Sequence, residues 1–93
     1  MKKIVILSSF DASVHKLTGR EKEYVAESLE KFSKFAYSSQ ISHGLGLKKL
    51  DDGLYEFRAG IRLRIVLESS GDTYYLIMAG DHDDVKAYLR RYR

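Results

Sequence analysis

The stretch Gly44–Glu68, GLGLKKLDDGLYEFRAGIRLRIVLE, decides the fold because apolar and charged residues alternate on both sides of one glycine. A period of two is typical of strands that bury one face. The sequence therefore predicts strands at 55–59 and 61–67, joined by a tight turn at Gly60, where glycine permits a positive φ. The residues predicted to face the core are Tyr55, Phe57, Ala59, Ile61, Leu63, Ile65 and Leu67.

The charged residues of the two strands are expected to share the opposite face. Both apolar sets reach one core when the numbers of paired residues sum to an even value, and a three-residue turn at 59–61 satisfies this condition. That register places Glu56 opposite Arg64, a pairing that stabilises by up to ~1 kcal/mol, whereas like charges cost a similar amount. It also places Arg58 opposite Arg62. Two adjacent guanidinium groups suit a shared phosphate, and the alternative is a pair of solvated arginines on an open sheet face.

The composition limits the class of protein. The 93 residues, 44% hydrophobic and 31% charged, predict one soluble domain spanning 1–93. The chain has no cysteine, which excludes disulfides and thiolate metal sites. The apolar run 4–7 is too short for a signal peptide or a membrane span, so we expect a cytoplasmic protein without a membrane partner. A net charge of +3 permits RNA or an acidic protein as partner.

The remaining sequence supplies helices and further strands around the hairpin. Residues 2–8 predict a short strand, and 73–79, apolar on both faces, predict an interior strand. A capping box at Thr18 and Glu21 begins an amphipathic helix, and Asp81 is a suitable cap for the last helix. Lacking proline and repeats, the chain predicts one compact β-α-α-β-β-β-α unit of the α+β class.

Few residues have the character of catalytic groups. The chain lacks serine and cysteine nucleophile motifs and phosphate-binding glycine loops, and its histidines are not spaced as metal ligands, so we expect no metal or cofactor. His82 is better placed than His15 or His43 because it lies where the last strand gives way to the last helix. We expect Lys48 or Lys49 to share a face with the arginines.

Two segments carry a resemblance to a known family. The run GLKKLDDGLYEFRAGIRLRIVL, followed by AGDHDDVKAY, resembles the RelE/ParE superfamily of toxins from bacterial toxin–antitoxin modules. Those chains have a lysine-containing segment, a hairpin with a Gly-x-Arg element, a strand ending near Gly-x-His or Gly-x-Arg, and a downstream tyrosine. The resemblance implies a twisted antiparallel sheet with two N-terminal helices packed on one face and a short C-terminal helix.

The resemblance also implies roles for individual residues. Arg62 matches the family arginine that contacts the scissile phosphate, two residues after the hairpin glycine. His82 stands where nuclease members keep Arg or His. The sequence departs from the family at two positions that concern the general base. Glu56 stands at a strand position where some members have a lysine, and the glutamate that is the base in another branch falls near Gly46. Other matched positions are the strand residue Arg58, the basic residues Lys48 and Lys49, and the C-terminal Tyr88.

The resemblance implies one of two activities. RelE-like members cleave mRNA in the ribosomal A site, whereas ParE-like members inhibit DNA gyrase without catalysis; an inactive binding module of the same fold is a third possibility. Each toxin would be neutralised by a cognate antitoxin that covers the basic face. We expect the toxin alone to be a monomer, and a hetero-oligomer with its antitoxin.

The nuclease interpretation requires a base for the 2′-hydroxyl, a proton donor for the leaving oxygen, and cations for the charge on phosphorus. Arg58 and Arg62 would supply the cations, His82 the acid or base, and Glu56 is an alternative base. Further contacts to RNA would come from Lys48, Lys49 and Arg64.

Tyr88 has two interpretations. It would stack on a nucleobase or orient His82. Six residues apart on one helix, these two side chains diverge by about 120°, so they meet only if His82 precedes the helix. The alternative is that Tyr88 belongs to a core stripe of the last helix with Val85, Leu89 and Tyr92.

Overall fold

The computed structural model describes residues 3–38 and 46–92. Within these residues the elements are, in chain order, β1 (Lys3–Ile6), α1 (Ser8–His15), α2 (Gly19–Ser38), β2 (Lys48–Asp51), β3 (Leu54–Ala59), β4 (Leu63–Ser70), β5 (Thr73–Gly80) and α3 (His82–Tyr92). The segment 37–46, rich in serine and glycine, is predicted from the sequence to be a loop, but Tyr37 and Ser38 instead complete α2. The rest of that predicted loop, including His43, lies largely outside the described residues.

One five-stranded sheet, in the order β1-β5-β4-β3-β2, contains every described strand. Strands β2 to β5 pair antiparallel with their neighbours, but β1 runs parallel to β5. The expected antiparallel sheet is therefore present in β2 to β5, and β1 makes the sheet a mixed one. The parallel pair is possible because a long part of the chain separates β1 from β5. The α+β class is confirmed.

Strand β2 was not expected from the sequence. Its residues Lys48 to Asp51 are mostly charged and do not alternate in the manner of a half-buried strand. It lies at the edge of the sheet, where short strands rich in charge are favoured because they resist pairing with other chains. The order β-α-α-β-β-β-α thus lacked one strand.

The main core lies between the sheet and the first two helices. Phe32 of α2 is fully buried and stacks on Phe57 of β3, with ring centroids 4.8 Å apart and planes 7° from parallel. Offset stacking of this kind adds roughly 0.5–1.5 kcal/mol to the burial of the rings. The alternating residues of the hairpin point into this core as predicted, apart from Ile61. Its buried members are Phe10, Val25, Phe32, Phe57, Ala59, Leu63, Ile65, Leu67, Leu76 and Ala79.

A second, smaller core lies under α3 on the opposite face of the sheet. Leu54, Val66 and Val85 are buried there. The register of β4 and β5 shifts between Val66 and Leu67, so that Ile77 and Met78 both pack toward α3. Strand β5 is apolar on both faces because one core lies on each side of the sheet, and its interior position is confirmed. No helix within the described residues is long and apolar enough to cross a membrane.

Both predicted helix caps are present. Thr18 N donates to Glu21 Oε1 at 2.9 Å, and Glu21 N donates to Thr18 Oγ1 at 3.2 Å. Asp84 N donates to Asp81 Oδ1 at 2.8 Å, and Asp81 N donates to Asp84 Oδ2 at 3.0 Å. Each reciprocal pair satisfies two amides that the helix itself leaves unpaired. The second pair fixes the direction in which α3 leaves β5.

Helix α1 satisfies the edge of β5 beyond the end of β1. Ser9 Oγ donates to the carbonyl oxygen of Ile77 at 2.6 Å, and the amide of Ala79 donates to Ser13 Oγ at 2.9 Å. Two serine hydroxyls thus replace the neighbouring strand.

Replacing Ser13 with alanine is expected to destabilise the fold by about 1–3 kcal/mol, because the part-buried amide of Ala79 loses its acceptor. Urea unfolding measures this change. Ser33→Ala, at an exposed position of α2, is the control and should leave the midpoint unchanged. Equal midpoints for the two variants would contradict the edge-covering role of Ser13.

Candidate active site

The hairpin register differs from the predicted one by two residues. Ala59 pairs with Leu63, and Arg58 pairs with Arg64. The predicted pairing of Arg58 with Arg62 is therefore wrong, although the apolar faces remain as expected because the sum of paired numbers stays even. The turn comprises 60–62, with Gly60 at φ 76°. Ile61 lies at its tip and is 92% exposed, so it belongs to neither strand.

Arg64 is held by its own surroundings. Its Nε lies 3.5 Å from Glu56 Oε2, and its Nη1 donates to the carbonyl oxygen of Leu63 at 3.1 Å. The residue directly opposite Glu56 on β4 is Val66, so this ion pair is a diagonal contact of the kind that long side chains make across a sheet. The predicted ion pair between Glu56 and Arg64 is thus present, although the two strands pair in a different register. Arg64 is fixed and half-buried, which gives it a structural role.

Arg58 and Arg62 are differently placed. Both are exposed, and within the described residues neither has a carboxylate within ion-pair distance. The backbone of Arg58 is held from below, where Ser28 Oγ donates to its carbonyl oxygen at 2.8 Å. Its side chain lies against Gly46, where an added methyl group would meet Nε at 3.4 Å. Two guanidinium groups therefore remain available to an external anion.

The arginines lie in a row that crosses the sheet to the start of α3. Arg58 on β3 pairs with Arg64 on β4, and Arg64 pairs with Gly80 on β5. Two strand spacings separate the ends of this row, or about 10 Å. On the same face, Lys48 of β2 pairs with Glu56. We call Lys48, Arg58, Arg62 and Arg64 the cationic surface.

Lys48 and Lys49 lie on different faces, as expected if only one joins the arginines. Lys48 shares the face of Glu56 through their pairing. Lys49 pairs with Tyr55 instead, and its Nζ lies 3.4 Å from Asp52 Oδ1. The structure therefore includes Lys48 in the cationic surface and separates Lys49 from it.

The first turn of α3 lies beside the turn that carries Arg62. The pKa of Asp81 is lowered, chiefly by the hydrogen bond from the Asp84 backbone, with Arg62 among the further causes. Gly80 permits the close approach of this helix, because a methyl group there would lie 2.7 Å from Asp84 Oδ2. His82 is the first residue of α3 and is exposed. The exposed imidazole of His82 thus follows directly on Asp81, the residue whose pKa is lowered in part by Arg62.

Tyr88 packs with the second core. It contacts the cluster of Leu54, Val66 and Val85, and its ring centroid lies 5.9 Å from that of Tyr92. Burial is the main cause that raises its pKa, with smaller contributions from Tyr92 and Glu68. The phenol is therefore neutral near pH 7, so it can donate a hydrogen bond but is unsuited to act as a base. These contacts agree with the interpretation that Tyr88 belongs to the core stripe of the last helix.

His82 and Tyr88 do not meet in the way that an orienting role requires. That role needed His82 to precede the last helix, but it belongs to the first turn of α3. Six helical residues then separate the two side chains by about 120° around the axis. The expectation that Tyr88 orients His82 is not met.

Glu56 is less accessible than His82. Its side chain is only 14% exposed and lies against Arg64. A carboxylate in this position stabilises the arginine row and has little access to an incoming substrate. Within the described residues, no group of three or more His, Asp or Glu side chains could hold a metal ion.

The charge on Asp81 gives a pH dependence that can be measured. Its pKa is lowered in the folded state, so the stabilising carboxylate form is present above the unfolded value of about 3.9 and is lost as pH falls through the folded value. We expect Asp81→Asn, which keeps a capping side chain, to have a lower melting temperature than the wild type at pH 6, and the difference should shrink as the pH falls below the unfolded value of about 3.9. A difference that does not shrink with falling pH would contradict the carboxylate assignment.

Sequence comparisons give no family: no family model matches the chain, and no curated protein matches it. Solved structures do match. The RelB-RelE antitoxin-toxin complex from Methanococcus jannaschii contains a chain with 18% identity and a TM-score of 0.70, covering 91% of this chain and 98% of that one. The E. coli DinJ-YafQ complex gives 9% identity and a TM-score of 0.69 over 91% and 98%.

A metal-bound toxin from Helicobacter pylori also matches, with 17% identity and a TM-score of 0.60 over 91% of this chain and 99% of that one. These similarities extend over nearly the whole of each chain. At such low identity they establish the fold, which is that of the RelE-type toxins.

Proposed function

We propose that this chain is the toxin of a toxin–antitoxin module and that it cleaves mRNA on the ribosome by metal-independent attack of the 2′-hydroxyl. The observation that carries the proposal is the pair of exposed arginines, Arg58 and Arg62, at the end of the sheet where His82 begins α3. The RelE-type fold supports it.

The arginines would perform the electrostatic part of the reaction. Cleavage by the 2′-hydroxyl concentrates negative charge on the phosphoryl oxygens in the transition state. Planar guanidinium groups donate two hydrogen bonds each and are therefore well suited to that charge. Arg62 would contact the scissile phosphate and Arg58 an adjacent phosphate. Arg64, through its ion pair with Glu56, would hold the arginine row in position. Lys48 would extend the path of the RNA backbone across the face, and Lys49 would contribute at the edge of the sheet.

His82 would perform the proton transfer. Imidazole is the side chain that titrates near neutral pH, so it can remove the proton of the 2′-hydroxyl or protonate the leaving 5′-oxygen. His82 is exposed, whereas Glu56 is mostly covered and paired. We therefore assign the acid or base role to His82 and keep Glu56 as the second candidate. Tyr88, neutral and largely packed, would at most donate a hydrogen bond.

A cognate antitoxin is the partner that this proposal requires. Among the similar solved structures, the M. jannaschii protein was crystallised as an antitoxin-toxin complex. An antitoxin acting on this chain would cover the cationic surface, and acidic residues would complement its charge. We propose that the toxin alone is a monomer in the cytoplasm and a hetero-oligomer when neutralised.

Induced expression followed by mapping of mRNA 5′ ends tests the function. We expect growth arrest, a fall in protein synthesis, and new 5′ ends within translated regions. The Arg58→Ala, Arg62→Ala double variant, expressed to the same level, is the matched control and should produce none of these. Continued protein synthesis with accumulation of broken DNA would instead indicate inhibition of gyrase and would overturn the nuclease assignment.

A further inference from the structure

Helix α2 holds the end of the hairpin at two points, one helical turn apart. Tyr24 and Ser28 are four residues apart and therefore lie on one side of the helix. Ser28, 9% exposed, donates its hydroxyl to the carbonyl oxygen of Arg58 at 2.8 Å. The ring of Tyr24 lies against Gly60, because a methyl group built there would be 2.9 Å from Cδ2 and 3.0 Å from Cγ.

These two contacts act on Arg58 and on the turn that carries Arg62. Ser28 fixes the backbone of Arg58 itself. Tyr24 covers Gly60, two residues before Arg62, just after β3 ends at Ala59. The same turn is also held from β4, where Arg64 Nη1 donates to the carbonyl oxygen of Ile61 at 3.4 Å. Glycine at position 60 serves both needs, since it tolerates φ 76° and leaves room for the ring.

The amino-acid type at position 24 is not explained by core packing alone. The ring remains 37% exposed, although its neighbours on the helix, Val25 and Phe32, are almost wholly buried. A half-exposed aromatic ring contributes less to stability than a core residue does, and this ring lies close against the backbone of Gly60 in the turn. Its position is therefore suited to restraining the turn.

We infer that Tyr24 and Ser28 are positioning residues that fix Arg62 and Arg58 for phosphate binding through the turn 60–62 and the backbone of β3. The expected effect on catalysis rests on the proposed nuclease function, whereas the restraint of the turn is a property of the protein itself. A displacement of about 1 Å in a charge-stabilising group costs up to roughly 100-fold in rate, so loss of the ring is expected to lower kcat by about 10-fold to 100-fold.

The test compares Tyr24→Ala with Tyr24→Phe. Phenylalanine keeps the ring over Gly60 and should restore wild-type behaviour, whereas alanine should not. The control is Tyr37→Ala, which removes a 72% exposed ring from the same helix. A parallel pair is Ser28→Ala against Ser33→Ala, since Ser33 is exposed on α2. Circular dichroism and melting curves confirm that each variant is folded.

Two measurements are made on each variant. Heteronuclear ¹⁵N relaxation of the amides of Gly60, Ile61 and Arg62 reports the order of the turn without any substrate. Cleavage of ribosome-bound mRNA under saturating and limiting conditions separates kcat from KM. We expect Tyr24→Ala to loosen the turn and lower kcat with less change in KM, and Tyr24→Phe to do neither.

The outcomes are distinguishable. Unchanged relaxation in a folded Tyr24→Ala protein overturns the restraint, and a loosened turn with wild-type kcat overturns its importance for the reaction. If the wild type cleaves no RNA while Tyr24→Ala still loosens the turn, the proposed function fails and the restraint of Arg62 by Tyr24 is supported.

Discussion

Replacing Arg62 with alanine is expected to lower RNA cleavage by on the order of 100-fold to 1,000-fold and to abolish growth arrest, while the protein folds as the wild type. The physical reason is that this guanidinium lies in an exposed turn, with no ion-pair partner among the described residues, and so contributes little to stability. The free energy of unfolding should change by no more than about 0.5 kcal/mol. Growth after induction and the yield of new mRNA 5′ ends measure the activity.

Two further variants make this result specific. Arg64→Ala removes a cation from the same row, but it also breaks the contact with Glu56, so it should lose some stability and much less activity. If Arg58 and Arg62 bind one substrate, the double alanine variant should lose less activity than the product of the two single losses, because the groups then act together. A folded Arg62→Ala protein that retained full toxicity would refute the phosphate-binding role.

The sequence predicts the faces of the hairpin but not its register. Parity arguments require only that paired numbers sum to an even value, and two registers that differ by two residues satisfy this equally. The observed register differs in its tertiary surroundings: it pairs Ala59 directly with Leu63 and leaves Gly60 in the turn, against the ring of Tyr24. No local pattern shows that a helix thirty-six residues earlier supports the turn. The alternation therefore predicts a core position for Ile61, although this residue lies at the tip of the turn and is 92% exposed.

The candidate site was predicted as a set of residues and not as a geometry. The sequence predicts Arg58, Arg62 and His82 as candidates because charge on an alternating strand and a histidine at a strand–helix junction both have recognisable patterns. Ser28 and Gly46 have no such pattern, since Ser28 acts on the carbonyl oxygen of Arg58 and Gly46 lies against the side chain of Arg58. Strand β2 was missed because edge strands can be mostly charged, and this also left the faces of Lys48 and Lys49 undecided.

Replacing His82 with alanine is expected to lower cleavage by about 100-fold to 10,000-fold, the usual contribution of a general acid or base. The side chain is exposed at the start of α3 and takes no part in the Asp81–Asp84 cap, so the melting temperature should hardly change. The rate of the wild type should depend on pH across the neutral range, and the variant should lose that dependence. Rates of cleavage of ribosome-bound mRNA between pH 5.5 and pH 8.5, about the range over which imidazole titrates, measure both effects.

The controls separate His82 from its competitors. Tyr88→Phe retains the ring that packs on the second core and removes only the hydroxyl, so it should cleave at nearly the wild-type rate. Glu56→Gln should lose activity chiefly through the displaced Arg64, and it should keep the neutral-range pH dependence. If His82→Ala cleaves at the wild-type rate with an unaltered pH profile, His82 is not the acid or base. If Glu56→Gln then lost the pH dependence of cleavage, the role would pass to Glu56. The reason is that removing the carboxylate that abstracts the 2′-hydroxyl proton must abolish the pH dependence that this carboxylate causes.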